Sequence, residues 1–214
     1  MSLLDRLNES HREAVLHTDG PLLLLAGAGS GKTRALMCRI AHLIENRGVD
    51  PRSILAVTFT NKAAEEMKDR LEKLVGPRSR DIWAKTFHAT CAQLLRWEIE
   101  ALGGYTRSFT IFDSSDQVAL MKRVLLDLRI GEQKLDARSV LSAVSRAKND
   151  MVGSQQYANA STTYHEEQVG KAYDGYQKRL VDHNALDFDD LIGLTTRLFE
   201  EHPAILEKYQ DRWR

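Results

Sequence analysis

Residues 22–33 read Leu22-Leu23-Leu24-Leu25-Ala26-Gly27-Ala28-Gly29-Ser30-Gly31-Lys32-Thr33, and this stretch decides the fold. An apolar run of strand length leads into alternating glycines, and helical spacing begins near Arg34. Strand, glycine-rich turn, Lys-Thr and helix make the arrangement that a polyphosphate needs. Glycines let successive backbone N–H groups converge on phosphate oxygens, and the helix N-terminus adds its partial positive charge. In that pattern Lys32 reaches the terminal phosphates, and the Thr33 hydroxyl sits on a magnesium ion. Ala26 stands where the strict pattern opens with glycine, and a methyl group is a small change there. The alternative is a glycine-rich turn between strand and helix that binds nothing.

A chain of 214 residues, 43% hydrophobic and 28% charged, has enough apolar material for one good core and a smaller second one. Thirty basic and thirty acidic side chains balance, which argues against a highly basic nucleic-acid coat while leaving room for a local basic groove. Cys38 and Cys91 have no partner-like spacing and read as reduced thiols of a cytoplasmic protein. No stretch approaches membrane-spanning length, and Met1-Ser2-Leu3-Leu4-Asp5 is not a secretory signal.

Outward from the loop, the pattern alternates strands and helices. A helix is expected over 4–16, a strand over 22–26, and a helix carrying Leu36, Ile40, Leu43 and Ile44. Ile54-Leu55-Ala56-Val57-Thr58-Phe59 reads as a second strand. Asn61 is the expected cap of the next helix, which stops at Gly76-Pro77. Ile82-Trp83-Ala84-Lys85-Thr86-Phe87 reads as a third strand, with a helix through Leu94, Leu95 and Ile99 behind it. Three strands alternating with helices predict an α/β fold with a parallel sheet.

After Gly103-Gly104 the periodicity becomes helical, apart from a brief Phe109-Thr110-Ile111-Phe112. Asp113 or Ser114 is expected to cap a helix over 118–128, another covers 137–147, and a long one begins near His165. The long helix sets Val169, Ala172, Tyr173, Tyr176 and Leu180 on one face, where the two tyrosines read as packing residues. This stretch suggests a helical insertion. Residues 186–199, capped by Asp187, and 203–213, started by Pro203, are helical again.

Two further segments stand at predicted strand ends, where ligands of a parallel sheet gather: Thr58-Phe59-Thr60-Asn61-Lys62-Ala63-Ala64 and Thr86-Phe87-His88. An aromatic such as Phe59 at that edge suits stacking on a base, with Thr60, Asn61 and Lys62 holding the backbone of a single strand. Alternatively Phe59 and Phe87 are core residues, Asn61 only caps its helix, and His88 is structural.

Taken in order, Leu7-Asn8, the 26–33 loop, the Thr58 to Ala64 segment, Thr86-Phe87-His88 and Leu186-Asp187-Phe188-Asp189-Asp190-Leu191 resemble the start of a superfamily 1 DNA helicase of the UvrD/PcrA/Rep type. The resemblance covers essentially the entire chain, and alanine at the first loop position is normal in that family. It implies a P-loop RecA-like parallel sheet flanked by helices, with an inserted all-helical subdomain. Residues 1–107 would begin the RecA-like ATP-binding domain, 108–183 would be the insertion, and 184–214 would return to the first domain. ATP and Mg2+ would be the cofactors. Single-stranded DNA and single-strand/duplex junctions would be the partners, together with repair or replication proteins, in the cytoplasm.

Position by position, the resemblance implies that Ala26, Gly27, Ala28, Gly29, Ser30 and Gly31 wrap the phosphates. Lys32 and Thr33 would handle the phosphates and magnesium, while Arg34 and Arg39 would lie near the nucleotide. Phe59, Asn61, Thr86 and His88 would touch single-stranded DNA. Lys148, beside Arg146, is the candidate for a DNA backbone contact in the insertion, against the reading of a solvated helix end. His11 stands where the family carries an adenine-reading glutamine. A neutral imidazole has its donor and acceptor on opposite edges, so weaker discrimination for adenine is expected unless Arg12 or main-chain groups take over. Asp187, Asp189 and Asp190 are read as a cap with solvent-facing neighbours rather than a metal site.

The family's magnesium-holding Asp and catalytic Glu would follow Arg214, and no hydrophobic strand ending in Asp-Glu occurs within the 214 residues. The resemblance therefore implies an amino-terminal part of a 3′–5′ helicase that alone neither hydrolyses ATP usefully nor unwinds DNA. The alternatives are a short nucleotide- and single-strand-binding module without motor activity, and an unrelated P-loop kinase or GTPase. The absence of an Asn-Lys-x-Asp guanine-reading pattern counts against the last.

Overall fold

A computed structural model describes residues 4, 7–27, 29–130 and 135–213. The chain divides into two compact units, one of Met1–Phe87 with Glu207–Arg214 and the other of His88–Leu206. The divisions fall at 87/88 and 206/207 rather than at the changes of periodicity near 107 and 183. Packing of helix on helix, described below, sets those places.

In the first unit, α1 (Glu9–Leu16) begins at Asn8, whose side chain accepts from His11 N and so fixes the start later than periodicity suggested. Next come α2 (Lys32–Glu45), β1 (Leu55–Thr58), α3 (Asn61–Val75) and β2 (Trp83–Thr86). β1 and β2 pair in parallel, in a register that sets Thr58 opposite Thr86. Met37, Ile40, Ala41 and Ile44 of α2 pack with Met67, Leu71 and Val75 of α3 over Ala56 and Ala84 of the strands. Each large side chain buried there contributes roughly 1.5–3 kcal/mol. Thr60, not Asn61, caps α3, its hydroxyl accepting from Ala63 N at 3.1 Å. The threonine wins because its extended backbone aims the hydroxyl back at the third helical amide. Trp213 meets Trp83 edge-on with ring centroids 4.8 Å apart, and Tyr209 stacks on Trp213 at 5.3 Å.

The strand expected over 22–26 is not one. Those residues join no ladder, and Leu23 and Leu25 are 80% and 85% exposed. Alternation survives nonetheless, with Leu24 and Ala26 less exposed than Leu23 and Leu25. A strand is defined by its neighbour's hydrogen bonds, and none of the described residues supplies a partner here. The expected three-stranded sheet is therefore a two-stranded one.

The second unit is mainly helical: α4 (Phe87–Glu98, its first residue in the other unit), α5 (Ser114–Asp127), α6 (Ala137–Asn149), α7 (Ser154–Ala160), α8 (Tyr164–Asp182), α9 (Phe188–Glu201) and the start of α10 (Pro203–Arg212). A short parallel pair joins β3 (Thr110–Ile111) to β4 (Ala185–Leu186). Neither α7 nor β4 was expected; each is too short to show a period. Leu120, Met121, Val124, Val140, Val144, Val169, Tyr173, Tyr176 and Leu180 fill one core. Leu95 of α4 and Ile99 just after it join Leu191, Leu194 and Leu198 of α9 in another, which is why α4 belongs to this unit. Asp113, Asp136, Thr163 and Asp187 each cap the helix that follows, a contribution of about 1 kcal/mol apiece. Among the described residues no helix is long and apolar enough to cross a membrane.

Candidate nucleotide and single-strand sites

The turn before α2 is built by backbone conformation. Gly29 and Gly31 have φ of 75° and 92°, values that glycine adopts without strain. The Ser30 hydroxyl donates to Gly27 O at 2.7 Å, and Ala35 N to Gly31 O at 2.9 Å is a first intrahelical bond. α1, α3, α5, α6, α8 and α9 start at a side chain that accepts from their first turn, whereas α2 starts at Gly31 with no side-chain cap. The amides of Lys32 and Thr33 open the first turn of α2, ahead of the first intrahelical bond. Such an N-terminus favours an anion. Lys32, Thr33 and Arg34 are exposed, and the Lys32 ammonium donates to Ala26 O at 2.7 Å and Gly27 O at 2.8 Å. A phosphate is a stronger, charged acceptor for that ammonium. The donor set fits a polyphosphate. Ala28 lies outside the described residues.

His11 and Arg39 fall beside this turn in different ways. A Cβ on Gly31 would lie 3.0 Å from His11 Cε1, so the imidazole rests against the loop. Arg39 Nη1 instead donates to Ala14 O at 2.7 Å and to His17 O, the carbonyls that end α1. Arg39, expected near the nucleotide, makes a clamp on α1 in this structure. Orphaned carbonyls at a helix C-terminus attract a cation, and Arg39 is the cation that meets them.

At the carboxyl ends of β1 and β2, Phe59 is 87% exposed and Phe87 41%. Their ring centroids are 5.4 Å apart at 44°, a pair on the surface and not in the core. The Thr58–Thr86 register brings them together, since each follows its strand by one residue. Thr60, Asn61 and Lys62 beside Phe59 are exposed, while Thr86 is buried within β2. In the second unit, His88 meets Phe188, which is 49% exposed, at 6.1 Å and 67°. Phe188 was named in the sequence only as part of the 186–191 segment.

Lys148 is neither a surface DNA contact nor a solvated helix end. Its ammonium donates to Asp187 Oδ2 at 2.7 Å and Asp190 Oδ1 at 2.8 Å, and the three side chains are 6%, 4% and 6% exposed. Tyr176 adds its hydroxyl to Asp187 Oδ2 at 3.1 Å. Asp190, expected to face solvent, is buried because it completes a reciprocal cap with Asp187 at the start of α9. Only Asp189 stays partly exposed. Among the described residues no group of three or more His, Cys, Asp or Glu side chains is placed to hold a metal.

Burial alone would lower the Lys148 pKa, but the charges of Asp190 and Asp187, with their hydrogen bonds, outweigh it and raise the pKa. Burial, and then the Asp187 charge, raises that of Tyr176. Both groups hold their protons more tightly folded than unfolded. Their stabilisation is full below the ordinary values of 10.0 and 10.5 and falls as pH rises past them. Urea titrations from pH 8 to 11 are expected to show midpoints dropping above pH 10, with a shallower drop for Tyr176→Phe. Equal slopes would remove Tyr176 from the linkage.

The first unit thus joins a glycine turn ahead of α2 to a pair of surface aromatics at its strand ends. The chain belongs to the UvrD/REP helicase N-terminal domain family, whose profile matches residues 7–214. It is 46% identical over 211 residues to the ATP-dependent DNA helicase PcrA of Bacillus subtilis (strain 168) and 45% over 212 residues to that of Staphylococcus aureus (strain Mu50 / ATCC 700699). To the PcrA of Leuconostoc citreum it is 46% identical over 213 residues. Each alignment takes in 99% of this chain but only 28%, 29% and 28% of the relative, so the chain spans under a third of their length.

Proposed function

We propose that this chain is the ATP- and single-stranded-DNA-binding part of an ATP-dependent 3′–5′ DNA helicase acting in repair or replication, with its first unit part of a RecA-like domain. The observation that carries this reading is the coexistence, in one unit, of an uncapped α2 behind Gly-Lys-Thr and an exposed aromatic pair at the carboxyl ends of β1 and β2. The 26–33 loop and the first-turn amides of α2 would hold the phosphates, Lys32 would neutralise them, and the Thr33 hydroxyl would ligate Mg2+. When bound, the nucleotide supplies the free energy of phosphoryl transfer. Arg34 stands exposed near the same helix start. With no strand ending in Asp-Glu among the 214 residues, the chain alone binds nucleotide without useful turnover.

Phe59 and Phe87 would stack bases, Asn61 and Lys62 would hold the strand's backbone, and His88 with Phe188 offers a further stacking surface. Single strands and single-strand/duplex junctions are the DNA partners of this reading, in the cytoplasm. Base stacking on an aromatic is worth roughly 1–3 kcal/mol. Phe59→Ala is therefore expected to weaken binding of labelled oligo-dT by about 5- to 150-fold in a fluorescence titration. Unchanged affinity with intact folding would take Phe59 out of the track.

A further inference from the structure

Arg39 lies seven residues after Lys32 on α2, roughly two turns on and along the same face. Lys32 and Arg39 line one cavity of about 330 Å³, together with Ala14, Leu22 and Leu24. The Arg39 guanidinium is spent on α1, donating to Ala14 O and His17 O. At the other end of α1, the His11 ring rests against Gly31 of the phosphate loop. α1 is short, and of its eight residues only Ala14 and Val15 are buried. A helix of that length has little stability of its own and takes its place from what anchors it.

We propose that Arg39 is a positioning residue for nucleotide binding. Its clamp fixes α1, and α1 holds the His11 ring as one wall of the loop that receives the phosphates. The proposal rests on reading that loop as the nucleotide site, and it gives Arg39 an effect without any contact to the nucleotide. Loss of the clamp frees α1, the ring leaves Gly31, and the loop is no longer held in one shape. Loss of the ring alone has the same consequence. The two effects therefore overlap instead of multiplying.

The test is a double-mutant cycle on the 214-residue chain, titrated with a fluorescent ATP analogue and Mg2+, with circular dichroism to verify folding. Arg39→Met and His11→Ala are each expected to weaken binding about 10-fold, and the double variant to be within about 2-fold of the weaker single. Arg39→Lys, which keeps a charged donor, is expected to stay within about 3-fold of native. Losses that multiply to about 100-fold overturn the proposal, as does native affinity in a folded Arg39→Met chain. If Arg39→Met does not fold, Arg39→Gln replaces it in the cycle under the same criterion. Native protein that binds no analogue overturns the nucleotide reading itself, and this proposal with it.

Discussion

Lys148→Met is expected to lower the stability of the His88–Leu206 unit by about 3–5 kcal/mol, because it leaves two buried carboxylates without their shared cation. The desolvation of Asp187 and Asp190 is tolerated only while the ammonium sits between them. Methionine keeps the chain length and most of the apolar contact, so the loss reports the charge and not a cavity. Three helices feel it at once, since α6 carries the lysine, α9 the carboxylates, and α8 the Tyr176 hydroxyl on Asp187. Urea unfolding followed by circular dichroism measures the effect. A companion variant, Arg146→Met, removes a neighbouring charge with a far smaller expected loss, within about 0.5 kcal/mol for a surface side chain. Were Lys148→Met to unfold at the native midpoint while binding DNA poorly, the buried triad would be wrong and a surface role right.

Lys32→Ala is expected to weaken nucleotide binding by roughly 10- to 150-fold, corresponding to the 1.5–3 kcal/mol typical of hydrogen bonds to charged groups. The Lys32 ammonium is exposed and held by the Ala26 and Gly27 carbonyls, so its removal opens no hole in the core. Stability should change by no more than about 0.5 kcal/mol. That separation matters: a loss of binding with unchanged unfolding isolates the phosphate contact. Titration with a fluorescent ATP analogue and Mg2+ provides the number, and a folded Lys32→Ala chain of native affinity would remove the lysine from the site.

Much of the local architecture was legible in the residues. The helix over Asn61–Val75 stops at a glycine followed by proline. Asp113 and Asp187 cap where short polar side chains precede apolar periods. The face of α8 bearing Val169, Tyr173, Tyr176 and Leu180 is buried as its 3.6-residue spacing requires. These are short-range facts, settled within a turn or two of the chain. The glycine turn belongs with them, since its glycines and the helix behind it are contiguous.

The larger changes of reading depended on partners far along the chain. Leu22-Leu23-Leu24-Leu25 has the composition of a strand but lacks, among the described residues, a neighbour to ladder with. Lys148 looks like any cation at a helix end until Asp187 and Asp190, thirty-nine and forty-two positions on, close around it. The family resemblance put Arg39 near the nucleotide, while its hydrogen-bond partners lie 25 and 22 residues before it.

Sequence by itself determined the glycine turn, the capped helices and membership of a helicase family, because glycine conformations, caps and apolar periods act over a few neighbouring residues. Only the tertiary structure decided which charges are exposed and which are buried in pairs. A side chain's solvation is set by whatever the rest of the chain packs against it, and for Lys148 and Arg39 that is a carboxylate pair and a helix end.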